Sequence, residues 1–284
     1  SVRDKLLDGE IEGAHVLYGL VYGVHLGIGG RQERMAVLAT INRNGQAITL
    51  SRGLQRRGIA TGEALKARVL GEERQLTFAQ TFPTGTHAMW LYYWLAAHGI
   101  DPMKDVLSMT VPPPQMVETM HAGQVDGFCV GEPWNQQAIV EGIGFTAVTS
   151  QSIWPDHPEK VLGTTAAFVE RHPNTARAMT AAIVDTGRWI DASPQNRDIA
   201  AQVIAAPEFV NTNKSVILAR MQGEYVDGLG RTWNDAHAMK FYDGGAVPFP
   251  YYSDGMWFMT QQHRWGLLKR EPDYAAVAAE VHRV

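Results

Sequence analysis

Three residues in this chain of 284, Gln46, His87 and Lys160, supply an amide donor, an imidazole donor and a full positive charge. Each sits beside turn-forming sequence at the end of an apolar run, where an α/β fold places ligands. Donors with one compensating cation suit a small anion that can only accept hydrogen bonds. They do not suit bond breaking, which needs a nucleophile or an acid–base pair.

Taken one at a time, each signal has an ordinary reading. Thr84-Gly85-Thr86-His87 lies between a predicted strand and a predicted helix. The unpaired N–H groups of a first helical turn bind anions, and Gly85 lets backbone come close. The same pattern is also a plain capped turn, and His87 alone reads equally well as a structural histidine. Asn44-Gly45-Gln46 reads as a hairpin turn before the strand Ala47–Leu50. Lys160, after His157-Pro158, reads as a solvated loop lysine. Cys129, the only cysteine, is flanked by Phe128 and Val130 and reads as a buried strand residue. Glu132 has no second carboxylate placed beside it. Gly27-Ile28-Gly29-Gly30 lacks the phosphate-loop lysine and the dinucleotide spacing. One cysteine and no His-Glu-x-x-His run give no disulfide and no zinc site. No catalytic residue, metal or cofactor is expected.

Composition narrows the class further. With 25 basic and 29 acidic residues, the net charge of −4 offers no basic surface for nucleic acid. No apolar run reaches the ~18–20 residues of a membrane helix.

The elements that must position the three residues follow from periodicity. Strands are predicted at 14–18, 35–41, 47–50, 76–80, 108–111, 125–130 and 145–148, with helices at 64–70, 87–98, 114–122 and 134–141. The helix from His87 is apolar nearly all round and must be covered on more than one side. Alternation over 76–160 predicts an α/β unit with a largely parallel sheet, and beyond Pro173 the chain turns mostly helical. Two lobes fit this pattern: lobe I from 1–74 plus 161–284, and lobe II from 75–160, with a ligand cleft between them.

Several stretches together resemble the nitrate- and bicarbonate-binding proteins of bacterial ABC importers. They are Asn44–Ile48, Thr81–Leu91, Val111–Met116, Gly131–Asn135, His157–Val161 and Ser253–Phe258, in order along the chain. The resemblance implies a two-lobed periplasmic-binding-protein type II fold with two crossovers, which closes on its ligand and presents it to a membrane permease. It implies ligand contacts at Gln46, His87 and Lys160, and wall or backbone contacts at Gly85, Thr86, Pro113 and Val130. The first strand and helix of that fold, with a tryptophan and a glycine of the pocket, are expected upstream of Ser1.

Nitrate is planar, singly charged and only accepts hydrogen bonds, so this donor set favours it, with nitrite second. Bicarbonate also carries a proton, and its branch is expected to have a carboxylate where Lys160 stands. Tyr18–Gly23 and Asn44–Leu50 look closer to the exported receptors of that family, so the resemblance implies a periplasmic, monomeric nitrate receptor that is not an enzyme. The alternatives are a cytoplasmic nitrate sensor controlling a partner protein, a bicarbonate receptor, or an enzyme on a related fold.

Overall fold

The computed structural model describes residues 1–71 and 74–283. Two sheets organise the molecule. The smaller has three antiparallel strands in the order β1 (Gly13–Leu17), β8 (Pro158–Thr165), β2 (Met35–Arg43). The larger runs β5 (Leu107–Thr110), β4 (Thr77–Gln80), β6 (Gly127–Gly131), β3 (Gln46–Ser51), β7 (Gly144–Thr149). A short hairpin, β9 (Glu224–Val226) with β10 (Thr232–Asn234), follows the helix Lys214–Met221, whose Arg220 donates to the Glu224 carbonyl at 3.1 Å. This is the expected α/β arrangement with two crossovers, but four expectations change.

First, Asn44-Gly45 makes no hairpin. β2 pairs with β8 and β3 pairs with β6 and β7, so the turn carries the chain from one sheet to the other. Asn44 and Gly45 both take left-handed backbone, with φ of 62° and 86°, and Asn42 Nδ2 donates to the Asn44 carbonyl at 3.1 Å. Successive left-handed residues turn a chain sharply, and only Gly and Asn adopt them readily. Second, the sheets divide at this turn and at 150–157, not at the expected boundaries near 74 and 160. Third, the larger sheet is mixed. β4 is parallel to β5 and β6, while β3 is antiparallel to β6 and β7. Fourth, Lys160 is not in a loop. It lies in β8, between Leu17 of β1 and Asn42 of β2.

The helix Thr86–Ala97 is covered as its composition requires. Trp90 is buried and stacks on Trp257 of the helix Tyr252–Arg264, with ring centroids 4.8 Å apart. It also meets the ring of His157 edge-on at 4.6 Å. The long helix and the segment before β8 are thereby locked together beneath the first turn that carries His87. Among the described residues no helix is long and apolar enough to cross a membrane.

Candidate functional site

Gln46, His87 and Lys160 come together, and what they surround is the carboxylate of Glu159. Gln46 Nε2 donates to Oε2, Lys160 Nζ donates to Oε1, and His87 Nε2 lies 3.1 Å from Oε1. Gln46 opens β3 in the larger sheet, His87 stands in the first turn of the helix after β4, and Glu159 and Lys160 lie on β8 of the smaller sheet. The cluster therefore spans the junction of the two sheets.

Neighbours on a regular strand point to opposite faces, yet Glu159 and Lys160 meet. The register of β2 on β8 shifts around Asn42 and Arg43, opposite Lys160 and Pro158. Such an irregularity re-aims side chains. Opposite them is Gly131, the last residue of β6. A methyl there would lie 3.5 Å from Glu159 Oε1, 3.5 Å from Lys160 Nζ and 3.6 Å from His87 Nε2. Glycine thus keeps one side of the charged cluster open.

Each donor is held from behind. The Gln46 N–H donates to Ser150 Oγ at 3.3 Å. His157 lies 3.0 Å from the Pro158 carbonyl through Nδ1 and 2.7 Å from Ser150 Oγ through Nε2. A carbonyl only accepts, so the neutral ring carries its proton on Nδ1, and its Nε2 and the Gln46 carbonyl, 3.0 Å from Ser150 Oγ, are the two acceptors for the one serine proton. By the same reasoning His87 carries its proton on Nε2, facing Glu159, and its Nδ1 accepts from Thr81 Oγ1 at 2.7 Å. Thr86 Oγ1 donates to the Glu159 carbonyl at 3.4 Å.

Electrostatics follow from burial. Burial alone would raise the pKa of Glu159, but the Lys160 charge and then His87 overcome it and hold the group down to about 2. Burial pushes the pKa of His87 below its ordinary value against the pull of Glu159, with Lys160 adding to the depression. Cys129 lies 3.9 Å from Gln46 Oε1. Burial first, then the Glu159 charge, push its thiol well up, so it is no nucleophile. His15 on β1 keeps an exposed surface, yet desolvation and then the Lys160 charge lower its pKa to about 4.

Gly85 caps the His87 helix, and a Cβ there would lie 2.6 Å from Leu17 Cδ1. It serves close packing beside the cluster. Pro113, half-buried, opens the short turn Pro113–Gln115, and no described contact joins it to the carboxylate. Val130 packs in the apolar cluster with Ala79, Val111 and Phe128, and the β6 residue facing the cluster is its neighbour Gly131. Sequence reasoning missed Glu159 and Gly131. The signal for the first was Val161-Leu162-Gly163-Thr164-Thr165, a strand-forming run that a proline at 158 can begin. Glu132, left without a role, makes a buried ion pair with Arg220 at 3.2 Å. No group of three or more His, Cys, Asp or Glu among the described residues could hold a metal ion.

Amide, imidazole and ammonium are thus arranged around a flat oxyanion of single charge, the Glu159 carboxylate of the chain itself. Known proteins fit this chemistry. The chain is 35% identical over 290 residues to the nitrate/nitrite binding protein NrtA of Synechocystis, matching all of this chain and 65% of that one. It is 34% identical over 288 residues to the bicarbonate transport ATP-binding protein CmpC of Synechocystis, across 42% of that protein. The chain spans 62 to 65% of the length of three curated NrtA relatives that it matches. The crystal structure of the periplasmic nitrate-binding protein NrtA from Synechocystis superposes with a TM-score of 0.93 at 33% identity, over 99% of this chain and 74% of that one. The alkanesulfonate-binding protein SsuA of Xanthomonas axonopodis shares the fold, with a TM-score of 0.70 at 12% identity over 99% of this chain and 84% of that one. The model of the NMT1-like family matches residues 1–205, and the chain belongs to that family.

Proposed function

We propose that this chain is a receptor for a small monoanion, nitrate first and nitrite second, which it captures between its two sheets and hands to the permease of an ABC importer. One observation carries the reading. An amide, an imidazole and an ammonium from three separate parts of the chain converge on one buried carboxylate. A carboxylate is planar, carries one negative charge and only accepts hydrogen bonds, as nitrate does. Gln46, His87 and Lys160 are the ligand contacts in this reading, with Thr86 and Gly85 supporting His87. Pro113 and Val130 serve as outer wall. The protein works as a monomer in the periplasm and turns nothing over. Relatives support that setting, since an NrtA is described as periplasmic and a similar protein as the nitrate import ATP-binding protein NrtC.

Glu159 favours a second reading, bicarbonate. Its carboxylate can accept the hydroxyl hydrogen that bicarbonate has and nitrate lacks. Titration calorimetry of the purified protein with nitrate, nitrite and bicarbonate decides between them. Tightest binding of nitrate is expected. Tighter binding of bicarbonate makes Glu159 the acceptor and overturns the nitrate assignment.

A further inference from the structure

We propose that capture of a nitrate-like anion at this site is coupled to the uptake of a proton, held between Glu159 and His87. The inference rests on the receptor reading above and adds the regulation of that site. Its basis is a charge count over the described groups that face the cluster. Lys160 supplies one positive charge and Glu159 cancels it at contact distance. Gln46 and Thr81 are neutral. Cys129 on β6 keeps its proton, because burial raises its pKa. His157, before β8, and His15, on β1, are both neutral near pH 7, with pKa values lowered to about 4. The cluster is thus already balanced without a ligand.

A second full negative charge entering a buried, balanced site is strongly disfavoured unless another charge changes with it. Two interacting groups stand ready to take the compensating proton. His87 Nε2 is 3.1 Å from Glu159 Oε1, and His87 Nδ1 is 2.7 Å from Thr81 Oγ1. Both ring nitrogens therefore face oxygen atoms. Becoming imidazolium requires only that the Thr81 hydroxyl turn from donor to acceptor. A proton on Glu159 instead would convert that carboxyl oxygen into a donor toward the anion. The proton belongs to the pair as a unit, as expected for groups that interact this closely.

Linkage sets the sign. If the bound state holds one more proton than the free state, affinity for nitrate falls as pH rises, by about tenfold per pH unit where uptake is complete. The test is calorimetry of nitrate binding to the full chain from about pH 6 to about pH 8, in two buffers of different ionisation enthalpy. The expected result is a buffer-dependent heat equal to about one proton taken up per nitrate. Glu159→Gln should bind nitrate with no proton uptake and a flat pH profile. Nitrate binding with no buffer-dependent heat overturns the inference and leaves the receptor reading standing. Proton uptake that persists in Glu159→Gln overturns the assignment to this pair. Absence of nitrate binding across the pH range overturns the receptor reading and the inference together.

Discussion

Two clusters of the same composition lie three residues apart in sequence, and burial separates what they can do. Glu159 accepts from an amide (Gln46) and an ammonium (Lys160) and faces an imidazole (His87). Asp156 accepts from Asn44 Nδ2 at 3.0 Å and from Lys240 Nζ at 3.0 Å, and lies 3.2 Å from His237 Nδ1. The side chain of Glu159 is 2% exposed and that of Asp156 is 36% exposed. Water screens the second cluster, so its ion pairs contribute little. It straps the Asn44 crossover to the segment 237–240. In the first, each charge feels its partner through protein, and removing one leaves the other stranded. Carboxylate, amide, imidazole and ammonium thus make a strap where water reaches them and, in the proposed reading, a binding site where it does not.

The comparison breaks most visibly at the two lysines. Lys160→Ala should weaken nitrate binding by roughly 10²–10³-fold, since breaking a buried charge pair costs about 3–5 kcal/mol. Lys160→Glu should abolish binding by repulsion. Lys240→Ala should leave the dissociation constant within about twofold. Calorimetry on the three proteins reads this directly, and an unchanged Lys160→Ala would place the site elsewhere. The two carboxylates come next. Glu159→Gln should lower the unfolding free energy in urea by about 3 kcal/mol, because Lys160 stays buried without its partner. Added nitrate should restore part of that loss. Asp156→Asn should cost about 1 kcal/mol or less. Equal losses in the two variants would erase the distinction drawn from exposure.

Acid separates the regions by a different route. His157 and His282 are buried and uncharged, with pKa values lowered by desolvation from an ordinary 6.5 to about 4. The unfolded chain binds these protons near pH 6.5 and the folded one does not, so stability falls as pH drops from about 6.5 to about 4. Each unit of depression is worth roughly 1.4 kcal/mol. Glu159 acts lower down. Its folded value near 2 lies below its ordinary 4.5, so its contribution is full above 4.5 and is lost between there and 2. Urea midpoints across this range should therefore fall in two stages. The first stage should shrink in His157→Gln, provided the amide keeps the Ser150 contact.

How much of this was legible depends on where the information lies. Gln46, His87 and Lys160 were readable because each belongs to a motif whose order along the chain carries the resemblance. Glu159 was not, because a glutamate beside a lysine reads as a solvated pair, and nothing local says that Trp90 and β1 will bury that strand. The same blindness hid the helix Tyr18–His25. Its tyrosines, valines and two glycines favour other conformations. The helix forms there through packing: a Cβ at Gly19 would lie 2.6 Å from the Thr84 carbonyl, so the glycine lets the helix lie flat on the turn before His87. Strand positions were mostly recovered, but strand partners were not. Pairing of β3 with β6 and β7 rather than with β2 depends on left-handed backbone at Asn44 and Gly45, and the same two residues also fit a hairpin.

The smallest expected effect is the most specific. Gly131 keeps free space beside the cluster, and a methyl there would sit at ordinary contact distance from Glu159, Lys160 and His87. Gly131→Ala should therefore fold with its stability changed by about 0.5 kcal/mol or less. It should nevertheless bind nitrate roughly tenfold more weakly, about 1.4 kcal/mol, since the methyl takes the space an arriving anion needs. Urea unfolding and calorimetry on the one variant give both numbers. Full affinity in Gly131→Ala would mean that the anion approaches Lys160 from another side.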